Sequence, residues 1–144
     1  MPMRQDIIAC ARSWLGTPYL HQASVKGAGA DCLGLVRGVY RALYGVEPET
    51  PPAYSADWAE VTGNETLRDA ARRHLTPIPV DTAQPGDVVL FRVKAGVPAK
   101  HAAILSAPRR IIHAYSGRAV CESHLSSWWL RRLIYVFQFP QVGE

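Results

Sequence analysis

The chain has 144 residues, 48% of them apolar and 19% charged. That is a globular composition long enough for one domain, residues 1–144, around one core. With 16 Lys+Arg against 12 Asp+Glu the net charge is +4, a modest excess that suits anionic surroundings. The arginine pairs Arg72/Arg73, Arg109/Arg110 and Arg131/Arg132 are scattered and not interleaved with aromatics, which argues against nucleic-acid binding.

In chain order, residues 4–15 predict an amphipathic helix with Ile7, Ala11, Trp14 and Leu15 on one face and Gly16 as its stop. Gly16-Thr-Pro-Tyr19 is a turn, and His21 to Ala30 a loop of small residues. Asp31 is a suitable N-cap for a second helix over 32–44, which Gly45 ends. Gly34 and Gly38 lie one turn apart in it, and two helix-weakening glycines imply close packing along that face. The Pro-rich segment Val46–Trp58 reads as a surface loop, and Glu65–His74 as a short charged helix on the outside. Thr76-Pro-Ile-Pro79 is a break, and Gln84-Pro-Gly-Asp87 a turn into the continuously apolar strand Asp87–Arg92. Four short strands follow at His101–Leu105, Arg110–Tyr115, Ala119–Ser123 and Leu133–Phe139. Helices first and strands after predict an α+β fold with an antiparallel sheet.

A nucleophilic cysteine needs a depressed pKa, which a helix N-terminus beside a histidine provides. Cys32 stands at the first position of the second helix, where its own backbone N–H is among the free donors of that end. Cys10 falls inside the first helix and Cys121 in a strand, so Cys32 is the nucleophile candidate. The three cysteines form neither a disulfide framework nor a zinc array; Cys121-Glu-Ser-His124 offers at most half a metal site, and no metal is expected.

His101 and His113 lie in consecutive strands about the turn Ser106-Ala-Pro108. If Leu105 pairs with Arg109, His101 faces His113 directly, and one imidazole can orient the other. His21, His74 and His124 have no comparable setting.

Five blocks together resemble the NlpC-type cell-wall peptidases: Gly16-Thr-Pro-Tyr19, Gly29-Ala-Asp-Cys-Leu-Gly-Leu-Val36, Gln84-Pro-Gly-Asp-Val-Val-Leu-Phe91, His101-Ala-Ala-Ile-Leu105 and Arg110-Ile-Ile-His-Ala114. The resemblance implies a minimal papain-like fold, with N-terminal helices packed on an antiparallel sheet. It implies catalysis by Cys32, His101 and His113, with Tyr19 near the oxyanion and no cofactor. The implied reaction is cleavage of the stem peptide of peptidoglycan. His21-Gln-Ala-Ser24 replaces the family's usual Gly-Gly and Leu33 its usual Ser, both beside the substrate groove. With the insert after Gly45, this form looks like the branch found with tail genes of phages and gene transfer agents.

The start Met1–Cys10 has no apolar run long enough for a signal peptide, and no stretch approaches the roughly 20 apolar residues of a membrane span. The expectation is a chain made in the cytoplasm and carried to the periplasm and cell wall on a phage-like tail, bound to tail-tip or baseplate proteins. Val46–Trp58 and the segment after Trp128, with Tyr54, Trp58, Trp128 and Trp129, are the candidate attachment surfaces, while Trp128 and Trp129 fit completion of the core equally well. The competing readings are an inert tail or hub component of the same fold, which the intact Cys32, His101 and His113 disfavour, and a cytosolic thiol amidase or acyltransferase.

Overall fold

A computed structural model describes residues 1–50, 65–115 and 117–144. Tyr54, Trp58 and most of the Pro-rich segment therefore lie outside the described residues.

Helix α1 spans Arg4–Arg12, three residues shorter than the periodicity suggests. The chain turns at Ser13, so Trp14 still reaches the core while Leu15 is 43% exposed. Helix α2 spans Cys32–Tyr44 as expected, with Asp31 as N-cap and Gly45 closing it at φ 77°. The Asp31 carboxylate accepts the Gly34 N–H at 2.8 Å, satisfying one orphan donor of the helix end. Both glycines of α2 mark close approaches. A Cβ at Gly34 would run into the Ala23 carbonyl, and one at Gly38 into the Trp14 indole. The loop before α2 is tighter than expected: strands β1 (Ser24–Val25) and β2 (Gly29–Ala30) pair as a small antiparallel ribbon. Helix α3 (Thr66–His74) buries only Leu67, consistent with an outside position.

Six strands form one antiparallel sheet: β3 (Thr76–Ile78), β4 (Val88–Phe91), β5 (His101–Ala107), β6 (Arg110–Tyr115), β7 (Arg118–His124) and β8 (Leu133–Gln138), in the order β3-β8-β4-β5-β6-β7. The expected break at Thr76-Pro-Ile is in fact edge strand β3, where Pro77 is tolerated because an edge position need not donate to the ladder. One sheet face packs Val88, Leu90, Ile104 and Ile112 against Ile7, Ala11, Leu35 and Val39 of α1 and α2. The opposite face carries Val89, Phe91, Ala103, Leu105 and Ile111, covered by Leu125 and Trp129. Trp129 belongs to the short helix α4 (Ser127–Leu130), capped by Ser126.

A buried ion pair fixes the turn that launches β4. Arg4 donates to Asp87 at 2.7 Å, and Asp87 is fully buried. The other Asp87 oxygen accepts the Gln84 N–H at 2.8 Å, while Arg4 also reaches the Pro85 carbonyl at 3.2 Å and Glu144 at 3.0 Å. Burial raises the Asp87 pKa, and the bonds from Gln84 and Arg4 oppose it. Removing Arg4 leaves a buried carboxylate without its cation. Arg4→Leu should therefore lower the unfolding free energy by about 3–5 kcal/mol, measured by urea denaturation; a loss below about 1 kcal/mol would show that the pair does not anchor the turn.

Candidate active site

Three elements converge on one groove. The N-terminus of α2 brings Asp31, Cys32 and Leu33; the Gly16–Tyr19 turn and the next residues bring Tyr19 and His21; the sheet brings Lys100, His101, Ala114 and Tyr115, with Trp128 and Trp129 beside them. The groove holds about 390 Å³.

Cys32 sits against the backbone on either side of His101. Its Sγ lies 4.0 Å from the Lys100 carbonyl oxygen, and the Ala102 N–H also acts on the thiol. The side chain retains some exposure to the groove, yet burial and then the neighbouring Asp31 carboxylate push the thiol up to about 12. The N–H groups of Ala102, Leu33 and Cys32 pull the other way but do not win. The depressed thiol pKa expected from the helix end is thus corrected. The helix supplies its donors, but desolvation is the larger effect.

His101 and His113 meet, by a register that differs from the expected one. Leu105 pairs with Ile111 rather than with Arg109, because the turn is tighter and a bulge lies between Leu105 and Ala107. A slip of two residues preserves the face on which every side chain stands, so the histidines become diagonal neighbours instead of direct opposites. His101 Nε2 lies 2.8 Å from His113 Nδ1. On its other edge, His113 Nε2 lies 3.1 Å from the Ser123 hydroxyl. His101 thereby keeps Nδ1 for a partner outside the pair.

Aromatic rings enclose both imidazoles. Trp129 stacks on His101 at 5.0 Å and 28° and meets His113 edge-on at 5.3 Å. Tyr115 packs on His113 at 4.9 Å, and Phe91 approaches His101 at 6.0 Å. Burial, with the charge of His113 as a lesser cause, takes the His101 pKa down to about 3. Burial alone takes His113 down to about 4. At neutral pH the substrate-free site holds a thiol and two uncharged imidazoles.

Tyr19 is half-buried, bridged to Ala30, and lines the groove; burial, then Asp31 and Cys32, raise its pKa. Of the four residues singled out in the sequence, Tyr19, Cys32 and His101 line the groove, and His113 stands behind His101. The structure also places five others there: His21, Lys100, Tyr115 and Trp129 around the groove and Ser123 behind His113. Of the two roles open to Trp129, attachment or core packing, the structure shows packing, over the histidines, whereas Trp128 stays 44% exposed with Arg132 over its ring at 3.7 Å. The Ser123 position was accessible from strand alternation around the turn at Gly117; nothing in the sequence announced that a short helix would return Trp129 to His101. Cys121 and His124, the half metal site, stand three residues apart on β7 and so point to opposite faces. Among the described residues no group of three or more His, Cys, Asp or Glu side chains is placed to hold a metal ion.

A thiol at a helix start shares its groove with a histidine of an antiparallel sheet, and that histidine is paired with a second one. Residues 16–138 match the NlpC/P60 family, and the chain belongs to that family. It is 26% identical over 137 residues to the gamma-DL-glutamyl hydrolase of Bacillus subtilis (strain 168), covering 94% of this chain but only 29% of that protein. It is 27% identical over 129 residues to the probable endopeptidase NlpC of Escherichia coli (strain K12), covering 85% of this chain and 73% of that one. The NlpC/p60 domain of the peptidoglycan hydrolase SagA superposes with a TM-score of 0.69 at 21% identity, covering 94% of this chain and 98% of that domain. An NlpC/P60 family protein from Bacillus cereus ATCC 10987 gives 0.67 at 20% identity, covering 96% of this chain and 40% of that one. These superpositions establish the papain-like α+β fold.

The lowered histidine values carry a sign that can be checked. A His whose folded pKa lies below its unfolded value contributes stability that is lost as pH falls through that interval. Nitrogen-15 NMR of the two imidazoles should show neither ring titrating between pH 8 and pH 5, with about 3 and 4 as the midpoints to approach. A midpoint near 6.5 for either ring would contradict the dry site.

Proposed function

We propose that this chain is a cysteine endopeptidase that cuts the stem peptide of peptidoglycan, with Cys32 as nucleophile, His101 as general base and His113 as the group that orients His101. The reading rests above all on the 2.8 Å contact of His113 with His101, which lines the groove that also holds Cys32. Residues 1–144 act as one catalytic domain.

The chemistry follows from the state of the groups. With a neutral thiol and a neutral imidazole, His101 Nδ1 takes the Sγ proton as the sulfur attacks the scissile carbonyl carbon. The C=O electron pair moves onto oxygen. The oxyanion is held by the backbone N–H of Cys32 at the free end of α2 and by the Tyr19 hydroxyl. The His101 imidazolium then gives its proton to the leaving amine, the C–N bond breaks, and an acyl-thioester remains on Cys32. Water, deprotonated by His101, attacks the thioester; the C–S bond breaks and the thiol is restored. No metal or organic cofactor enters the sequence. Stacking by Trp129 excludes water and holds the base ring in place.

Cys32→Ala is a small change at a helix start and should leave the melting temperature within about 2 °C, the size of a surface-scale perturbation. Mass spectrometry of purified sacculi should show new stem-peptide termini with the wild type and none with Cys32→Ala. Equal product from both would remove Cys32 as nucleophile; none from either would favour the inert tail or hub reading.

Delivery on a phage-like tail is the finer part of the proposal, and the sequence pattern alone supports it. A tail would carry the enzyme to the wall and hold it there at high effective concentration. With Trp129 committed to the histidines, Trp128 and the segment beyond it remain an attachment candidate. Proteomics of purified particles from the source organism should detect this chain with other tail proteins. Its absence from such particles would end the delivery reading and leave the peptidase reading standing.

A further inference from the structure

We infer that Ser123 is a positioning residue: its hydroxyl oxygen accepts the His113 Nε2–H and so fixes the proton placement that leaves His101 Nδ1, the nitrogen not engaged by His113, without a proton. The inference rests on the peptidase reading for its purpose, but not for its measurement.

The three groups form a line. His101 Nε2 is 2.8 Å from His113 Nδ1, and His113 Nε2 is 3.1 Å from Ser123 Oγ. Ser123 pairs with Ile111 and His113 with Cys121 across β6 and β7, so Ser123 and His113 are diagonal neighbours on one sheet face. His113 is 1% exposed, so bulk water does not supply an alternative partner freely.

Each neutral imidazole carries one proton, on one nitrogen. Only two arrangements satisfy both contacts. In the first, His101 Nε2–H donates to His113 Nδ1, His113 Nε2–H donates to Ser123 Oγ, and His101 Nδ1 is left as a base. In the second every bond reverses: the serine O–H donates to His113 Nε2, His113 Nδ1–H donates to His101 Nε2, and His101 carries its proton on Nδ1. The second arrangement blocks the nitrogen that must take the thiol proton. It also fails once His101 is protonated, because His101 Nε2–H and His113 Nδ1–H would then oppose each other across 2.8 Å. The first arrangement accommodates both the neutral and the protonated base without moving any proton but the one taken from Cys32. A serine oxygen accepting behind His113 therefore selects the working tautomer two residues away.

Loss of this acceptor leaves a buried N–H of His113 unpaired, which drives the proton to the other nitrogen. The test is nitrogen-15 NMR of the histidine rings in the full chain at pH 7, with Ser123→Ala and Ser123→Thr beside the wild type. Wild type and Ser123→Thr should show His101 and His113 both protonated at Nε2. Ser123→Ala should shift both rings toward Nδ1–H and lower kcat on sacculi about tenfold, the scale of one hydrogen bond, with KM unchanged. Finding wild-type His113 protonated at Nδ1 would overturn the inference, and that measurement needs neither the alanine variant nor a substrate. Unchanged tautomers and rate in Ser123→Ala would overturn it as well. If wild type fails to cleave sacculi, the peptidase reading falls while the NMR result still decides the role of Ser123.

Discussion

The site depends on one carboxylate that is spent on backbone rather than on catalysis. Asp31 accepts the Gly34 N–H with one oxygen and the Gln22 N–H with the other, each at 2.8 Å. The first bond starts α2 at Cys32; the second ties down the preceding loop, where Gln22 adopts a left-handed φ of 66°. Around that anchor the loop presses so closely on α2 that position 34 has room only for glycine. Ser24 then bonds the Gly34 carbonyl, and Arg41 the Ser24 carbonyl, so the loop is stitched along the helix. Cys32, Tyr19 and His21 owe their common location to this contact, because all three hang from chain that Asp31 immobilises.

The same carboxylate works against the thiolate. It lies next to Cys32 and, with desolvation, holds the thiol protonated. The histidines are dry for a separate reason: Phe91, Tyr115 and Trp129 wall them in. Structural order and ionisation thus conflict at this site, and the conflict is resolved in favour of order. In the proposed reaction, charge separation would be deferred until a substrate carbonyl is present to receive the sulfur's electrons, which is economical in a groove of low polarity.

Most of the fold was legible because its signals are local. Asp31 before a periodic run, Gly45 after it and the unbroken apolar stretch Val88–Phe91 each report on their own neighbourhood. Leu15 and Thr76–Ile78 were misread where packing overrode local pattern: a turn ended α1 early, and an edge position made a strand of a proline-bearing segment. The catalytic candidates were legible as residues but not as geometry. The His101–His113 register was wrong by two, and the contact survived only because sheet faces repeat every two residues. The contact of Trp129 with the histidines was missed since it depends on α4 folding back over the sheet, a tertiary fact with no local signature. The dryness of the site, and hence the state of its protons, follows from that same burial.

Cys32 and His101 come from opposite halves of the chain, one from the helical part and one from the sheet. During synthesis the thiol emerges first, on a helix whose sheet partner has not yet been made. Contacts so distant in sequence form late in folding, after the local helices and hairpins. A partly folded chain therefore carries Cys32 before His101 is in place on the sheet. On the peptidase proposal, competence would arrive together with the docking of α2 on the sheet, and correct folding would itself serve as the activation step.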